Sequence, residues 1–180
     1  MPCKNISKAY CMNHFQLLDI EKKYDLDLAL LQRQYFSKQI LHHPDKASNE
    51  AIRRANLEKS MQLNEAYKIL RDDYLRAIYM LKLAGVELDD RVHKHTLNAS
   101  DLEEMIDLHE AIDEMEELSE LAVLENQQLL KQTKLVQALA KCFSENNIAN
   151  ALDLAVRLKY LTNLVGNIKL KIKNANYRAQ

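Results

Sequence analysis

The sequence predicts an all-α protein, and three observations support this fold class. Only two glycines and two prolines occur among 180 residues, too few for the tight turns of a sheet with many short strands. Hydrophobic residues make up 47% of the chain, which is enough apolar material for a core, and they recur at helical spacing along much of it. Charged residues make up 28% and the formal net charge is -1, a balance typical of a soluble, helix-rich protein.

An amphipathic helix is predicted after the short apolar segment HFQLLDI, residues 14–20. Asp25 or Asp27 can cap its N-terminus, because a carboxylate there accepts hydrogen bonds from the first free backbone N–H groups. Its predicted buried positions include Leu28, Leu31 and Tyr35. The helix must end by His43, because the residue before a proline is pushed out of the helical region and proline cannot continue the hydrogen-bond ladder.

Two further helices are predicted after the sequence HHPDK, residues 42–46. The first carries side chains that recur at helical spacing, namely Ile52, Ala55, Lys59, Leu63, Ala66, Tyr67 and Leu70. The second lies in RDDYLRAIYMLKLAG, residues 71–85. Gly85 is well placed to end it in the left-handed conformation.

The stretch VELDDRVHKHTLNAS is polar and lacks helical periodicity. It predicts a linker at residues 85–99, between a first domain at residues 13–84 and a second at residues 100–175. Asn98 or Ser100 is the expected cap of the helix that follows.

Three long amphipathic segments between Asp101 and about Asn174 predict a three-helix bundle, with breaks near residues 117–120 and 144–147. On a helical wheel the buried stripe of the first segment consists of Met105, Leu108, Ile112 and Met115. The inward stripe of the last segment consists of Leu154, Leu158, Leu161, Val165 and Ile168.

The first bundle segment is acidic, with ten Asp or Glu and no Lys or Arg between Asp101 and Glu120. Leu102 and Ile106 lie outside its buried stripe, toward the acidic side. The acids on that side are Asp107, Glu110 and Glu114, and a second apolar row of the last segment consists of Leu152, Val156 and Tyr160. These residues form either a wide core stripe or an exposed apolar patch ringed by carboxylates, suited to a partner with apolar and basic groups.

The three cysteines, Cys3, Cys11 and Cys142, have unrelated spacings, which favours a reducing compartment and argues against a disulfide framework or a zinc clip. No apolar run approaches the roughly 20 residues that span a bilayer, and the first residues lack the apolar region of a secretory signal. We therefore expect no cofactor, no metal, no nucleic acid and no membrane partner. The expected location is the cytoplasm of a bacterium, with the mitochondrial matrix as the alternative.

HHPDK places two histidines, an aspartate and a lysine around Pro44 in the loop between two helices. A metal site, an acid/base cluster and a protein-recognition surface all use such residues. No second set of acid/base groups and no glycine-rich phosphate loop lies nearby, so a catalytic site is not indicated. His43, Pro44 and Asp45 instead indicate a recognition tip. The alternative is structural, with Asp45 capping the next helix and His43 packing locally.

Several stretches together carry a resemblance to a known family. HFQLLDIEKKYDLD, QYFSKQILHHPDK and LNEAYKILRDDYLRAIYMLKLAGVEL resemble the J-domain of co-chaperones for heat-shock-70 chaperones of the HscA/DnaK type. The LRDDYLRAIYMLKLAG stretch, with DLHEAIDEMEEL and RLKYLTNL further on, is similar to the HscB-like co-chaperones of iron-sulfur cluster assembly. The resemblance covers about residues 13–172.

The resemblance implies a co-chaperone that is not an enzyme and has two protein partners. The tip would bind the ATPase domain of a heat-shock-70 chaperone and accelerate ATP hydrolysis, with Asp45 presenting a carboxylate to a basic residue. The basic residues that would meet an acidic chaperone surface are Arg33, Lys38 and Lys46. The second domain would hold an iron-sulfur scaffold protein of the IscU kind, through Leu102, Ile106, Asp107, Glu110, Glu114 and Tyr160.

Three other interpretations are compatible with the sequence. A general J-domain protein that delivers other clients would lack selective affinity for the scaffold. A histidine-based metal hydrolase would contain bound metal. A purely structural helical protein would leave chaperone ATPase rates unchanged.

Overall fold

A computed structural model describes residues 12–86 and 99–178, and within these ranges the protein is helical with no strand. Its helices are α1 (His14–Leu17), α2 (Leu28–Leu41), α3 (Glu50–Arg71), α4 (Asp73–Leu83), α5 (Ala99–Glu114), α6 (Leu118–Ser144) and α7 (Ile148–Arg178). The predicted all-α class is confirmed. The chain divides into two compact units, Met1–Arg76 and Ala77–Gln180, and the division falls inside α4. Most of the predicted linker, residues 85–99, lies outside the described residues, so the domain boundaries stay predictions.

Local capping explains where the first helices begin. Asn13 and Gln16 form a reciprocal capping box at the start of α1, with hydrogen bonds of 2.9 and 3.0 Å. Asp27 caps α2, one of the two predicted positions, and its carboxylate accepts the N–H groups of Ala29 and Leu30. These hydrogen bonds stabilise the charged carboxylate, and the bond from Leu30 contributes most to a lowered pKa of Asp27.

The core of the first unit lies where the N-terminal half of α2 packs against the C-terminal half of α3, close to α1. This end of the helix pair is called its base. Its buried side chains include Phe15, Leu17, Leu18, Tyr24, Leu31, Leu63, Ala66 and Leu70. The prediction that Leu28 is buried was wrong, because this first residue of α2 is 48% exposed. A position at the end of a helix can face the core side and still lie beyond the element that would cover it.

Polar side chains join the distal half of α2 to α3, on the side of the turn between them. Asn64 Oδ1 accepts hydrogen bonds from the Tyr35 hydroxyl at 2.8 Å and from Gln39 Nε2 at 2.6 Å. The Ser60 hydroxyl donates to Gln39 Oε1 at 2.7 Å. Tyr35 also stacks on Tyr67, with 4.2 Å between ring centroids. This network fixes the spacing of the two helices near the turn.

A buried arginine connects the end of α3 to the start of α4. Arg76 pairs with Asp73, donates to the Leu70 carbonyl at 2.7 Å, and lies 4.7 Å over the Tyr24 ring. The Tyr24 hydroxyl donates to the Asp73 carbonyl at 3.0 Å. Burial raises the pKa of Tyr24 well above its ordinary value, and the charge of Arg76 opposes this rise only in part.

Gly85 ends α4 in the left-handed conformation, as the sequence predicted. Gly85 has φ +86°, and its N–H donates to the Lys82 carbonyl at 3.0 Å, while Val86 donates to the Leu81 carbonyl at 3.0 Å. This pair of bonds is the Schellman motif, which favours glycine at the left-handed position.

The second unit contains the predicted bundle of α5, α6 and α7. Gln132 contacts Thr162 and Glu125 contacts Lys169, so α6 and α7 run antiparallel. The core of the bundle is formed by Ile112, Leu121, Leu124, Leu161, Leu164 and Ile168, with Leu108, Met115, Leu135 and Ile172 packed against it. Of the predicted buried stripe, Leu108, Ile112 and Met115 therefore contribute to this core. None of the described helices has both the length and the apolar character needed to cross a bilayer.

The break at residues 145–147 has the same geometry as the end of α4. Asn146 has φ 55° and donates to the Phe143 carbonyl at 3.3 Å, and Asn147 donates to the Cys142 carbonyl at 2.8 Å. Asparagine tolerates the left-handed region better than other residues with a side chain. The SENN sequence thus ends α6 without a glycine.

Candidate functional site

The predicted recognition tip is an exposed turn at the end of α2. The helix ends at Leu41, and Pro44–Lys46 forms a single 3-10 turn. The backbone N–H of Asp45 donates to His43 Nδ1 at 3.3 Å. His43 Nδ1 also lies 3.6 Å from Asp45 Oδ2. Both side chains are exposed. The structural alternative, in which Asp45 caps the next helix, is not observed: Asn49 caps α3 by accepting the Ile52 N–H at 2.9 Å.

The three predicted basic contacts differ in their surroundings. Arg33 on α2 and Lys46 in the turn are exposed. Lys38 is paired with Asp19 at 2.7 Å, and its side chain is 23% exposed. Asp19 precedes α2 in the chain, so spacing along the helix gave no sign of this ion pair. Lys38 therefore presents less free charge to a partner than the other two residues.

Apolar side chains flank the tip, although helical spacing alone did not mark them as functional. Ile40 and Leu41 in the last turn of α2 are 61% and 69% exposed. Their position next to HHPD, the sequence that ends the helix, was the available signal of this exposure, because a helix end next to a loop has no neighbouring element to cover it. The tip thus combines a carboxylate, an imidazole and exposed hydrocarbon.

The acidic side of α5 is an exposed face, here named the α5 face: Leu102, Ile106, Asp107, Glu110 and Glu114. Leu102 is 41% exposed and Ile106 is 52% exposed, whereas Ile112 of the same helix is 2% exposed. The three carboxylates are exposed as well. On α5, of the two arrangements that the helical wheel allowed, the structure has the exposed apolar patch rather than the wide core stripe.

Two side-chain pairs align α7 with α5. Arg157 contacts Asp101 at 2.7 Å, and Asn167 lies 3.5 Å from His109, so the two helices run parallel. Tyr160 follows Arg157 by one helical turn and is therefore level with the stretch from Leu102 to Ile106. Tyr160 is half-buried. Tyr160 and the N-terminal half of the α5 face therefore lie at the same level along the bundle.

The second apolar row of α7 is only partly exposed. Val156 is fully buried, as are Ala151 and Ala155 on the same helix. The buried arc of α7 is therefore wider than the single stripe that its periodicity indicated, so for Val156 the structure has the wide core stripe, one of the two arrangements left open. Within the described ranges, no three His, Cys, Asp or Glu side chains come together as a metal site.

Two family models match the chain, one in each part. Residues 13–79 match the DnaJ domain, and residues 98–169 match the HSCB C-terminal oligomerisation domain. The first match contains the tip between α2 and α3. The second contains the α5 face and Tyr160.

Curated relatives with similar sequences are HscB co-chaperones. The Co-chaperone protein HscB of Buchnera aphidicola is 41% identical over 88 residues, which is 48% of this chain and 48% of that protein. The chain thus spans about half the length of such curated relatives. The human Iron-sulfur cluster co-chaperone protein HscB is 27% identical over 161 residues, covering 88% of this chain and 68% of the human protein.

Solved structures confirm the fold and the family. The crystal structure of human co-chaperone protein HscB superposes with a TM-score of 0.84 at 26% identity, covering 89% of this chain and 82% of that chain. The chaperone HscB from Vibrio cholerae, at 24% identity, shares the fold with a TM-score of 0.82, over 91% of this chain and 99% of that one. With both family models and these similarities, the chain belongs to the HscB-like family of J-domain co-chaperones.

Proposed function

We propose that this protein stimulates the ATPase of a heat-shock-70 chaperone and delivers an iron-sulfur scaffold protein of the IscU kind to it. The observation that carries the proposal is the exposure of two neighbouring apolar side chains, Leu102 and Ile106, beside three exposed carboxylates, because an apolar centre with a polar rim is the usual composition of a protein interface. The printed name of the human relative, an iron-sulfur cluster co-chaperone, supports the identity of the client.

The tip acts on the chaperone by recognition and without chemistry of its own. Proline fixes one backbone dihedral, and the hydrogen bond from the Asp45 N–H to His43 orders the turn, so the carboxylate is presented with little entropy left to lose on binding. Asp45 then pairs with a basic chaperone residue, and charge-assisted hydrogen bonds are the stronger class. Arg33 and Lys46 meet an acidic surface, while Lys38 must first exchange Asp19 for a chaperone carboxylate.

The α5 face holds the client through an apolar centre and an acidic rim. Leu102, Ile106 and Tyr160 supply the hydrocarbon that becomes buried on binding. Asp107, Glu110 and Glu114 favour a partner with basic residues and accelerate the encounter. We place this activity in the bacterial cytoplasm, which the similarity to bacterial relatives supports.

ATP turnover by the cognate chaperone tests the proposal directly. Turnover is measured with this protein and the scaffold added separately and together, and both together are expected to give the largest rate. Asp45→Asn is nearly isosteric and removes the charge, so stimulation should be lost while scaffold affinity stays unchanged. Equal loss of both activities would contradict the assignment of separate surfaces. Full stimulation without selective scaffold binding would favour the general J-domain protein instead.

A further inference from the structure

The C-terminal end of α5 lacks the kind of cap that ends α4 and α6. Those two helices are followed by a residue with positive φ, Gly85 or Asn146, whereas within the described stretch 111–117 no residue has one. Four acids in residues 113–117 also place negative charge at this end, which is already the negative end of the helix dipole. The last turn of α5 therefore needs a donor from another element.

Lys171 of α7 supplies this donor. Its ammonium donates to the backbone carbonyls of Ile112 and Asp113, the second at 2.7 Å. Both carbonyls belong to the last turn of α5, where a helix leaves its carbonyls without partners, and α5 itself contains no Lys or Arg. A hydrogen bond from a charged donor is of the stronger class, and a cation is favourable at a helix C-terminus. Lys171 thus closes α5 from a neighbouring helix.

The contacts at the two ends of α5 differ in kind. At the N-terminal end Asp101 pairs with Arg157 at 2.7 Å, a contact between the tips of two side chains. Lys171 instead binds the backbone, so it holds one side of the helix against α7 and restrains its rotation. The rotation decides which side chains α5 presents, because Ile112 is 2% exposed and Ile106 is 52% exposed.

We propose that Lys171 is a positioning residue for scaffold binding, which it serves by holding the C-terminal end of α5 in the rotation that presents the α5 face. This inference rests on the client surface proposed above, and Lys171 acts through the backbone of α5. Glu110 and Glu114 lie within one turn of the two bonded carbonyls, so a shift at this end displaces these rim carboxylates first.

Amide hydrogen exchange of the free full chain tests the cap without the scaffold. Lys171→Met keeps most of the hydrocarbon stem and removes the donor, so protection of amides 111–115 should fall roughly tenfold, the value of one hydrogen bond from a charged group. Protection in the middle of α6 should stay unchanged. Lys171→Arg can still donate to both carbonyls and should restore most of the protection. Lys173→Met is the matched control, since the ammonium of Lys173 lies 5.9 Å over the Tyr177 ring of the same helix.

Calorimetric titration of the scaffold separates positioning from charge. Removal of a lysine makes the surface around the α5 face more negative, so charge alone should leave the affinity for a basic partner unchanged or raise it. If Lys171 positions the face, Lys171→Met should instead weaken scaffold binding roughly three- to tenfold, as expected when two rim contacts are misplaced. Lys171→Arg should bind nearly as the wild type does. Chaperone ATPase stimulation without scaffold should be the same in all variants.

Two results would overturn the positioning role while wild-type scaffold binding remains intact. One is unchanged protection of amides 111–115 in Lys171→Met. The other is scaffold binding by folded Lys171→Met that is as tight as that of Lys173→Met, with folding checked by circular dichroism. A wild-type chain that does not bind the scaffold would refute the client assignment itself, and the positioning role with it, so the two failures are distinguishable.

Discussion

Truncation of Ile106 separates the binding role of the α5 face from a structural role. Ile106 and Ile112 are the same residue type on the same helix, but they are 52% and 2% exposed. Ile→Ala at a buried core position costs about 2–5 kcal/mol. Because half of the Ile106 side chain is already in water, Ile106→Ala should cost about 1 kcal/mol or less of folding free energy, whereas Ile112→Ala should cost the full core value.

These values predict different thermal shifts and different binding losses. At about 4–8 °C per kcal/mol for a domain of this size, Ile106→Ala should lower the melting temperature by only a few degrees, and Ile112→Ala by roughly 10 °C or more. As an interface anchor, Ile106 should contribute about 2 kcal/mol to scaffold binding, a roughly 30-fold loss in affinity on truncation. Ile112→Ala, measured at a temperature where it is folded, should bind the scaffold nearly as the wild type does.

Circular dichroism melting and calorimetric titration of the scaffold measure the two quantities. The reasoning is refuted if Ile106→Ala melts as early as Ile112→Ala, since Ile106 would then be part of the core. It is refuted equally if scaffold affinity changes less than about threefold, since the exposed isoleucine would then contribute little to the interface.

Three further variants test the first unit and α4. Tyr24→Phe removes the hydrogen bond to the Asp73 carbonyl and should cost about 1 kcal/mol in urea unfolding at neutral pH. Because the pKa of Tyr24 is raised by folding, the wild type should also lose stability as pH rises above about 10, and this loss should be smaller in Tyr24→Phe; equal losses would contradict the burial argument. Asn64→Ala removes the shared acceptor of Tyr35 and Gln39 and should lower chaperone ATPase stimulation more than scaffold affinity, which ATP turnover and titration distinguish; unchanged stimulation would show that the network does not position the tip. Gly85→Ala should cost about 1 kcal/mol because of its positive φ alone, since an added Cβ meets no atom within 4 Å; an unchanged urea midpoint would show that this cap is not stabilising.

The sequence predicted the helix order because the breaks have local causes. Pro44, Gly85 and the SENN stretch each end a helix through the backbone preferences of a few residues, and the structure has its helix ends there. The direction of side chains on α5 was also predictable, since a helical repeat fixes the angle of Ile106 relative to Ile112.

Features that depend on contacts between elements were not predictable in this way. Leu28 faces the correct direction but lies where no element covers it, and Val156 is covered although its row leads away from the inward stripe. The ion pair between Lys38 and Asp19 joins a helix to a preceding loop. The buried Gln128 amide has no local sequence signal, because a lone glutamine on a helix is equally compatible with solvent.

The polar contacts between α2 and α3 affect how the turn between these two helices can move. Large buried apolar residues lie only at the base of this helix pair, whereas amide and hydroxyl groups connect its far half. Separation of that half would expose the stacked rings of Tyr35 and Tyr67 but none of the large buried side chains at the base, so it requires a smaller heat-capacity change than unfolding of the whole unit. We therefore expect opening near His43 and Asp45 to be a sub-global event that leaves the buried residues at the base packed, so a partner could reshape the turn without unfolding the unit.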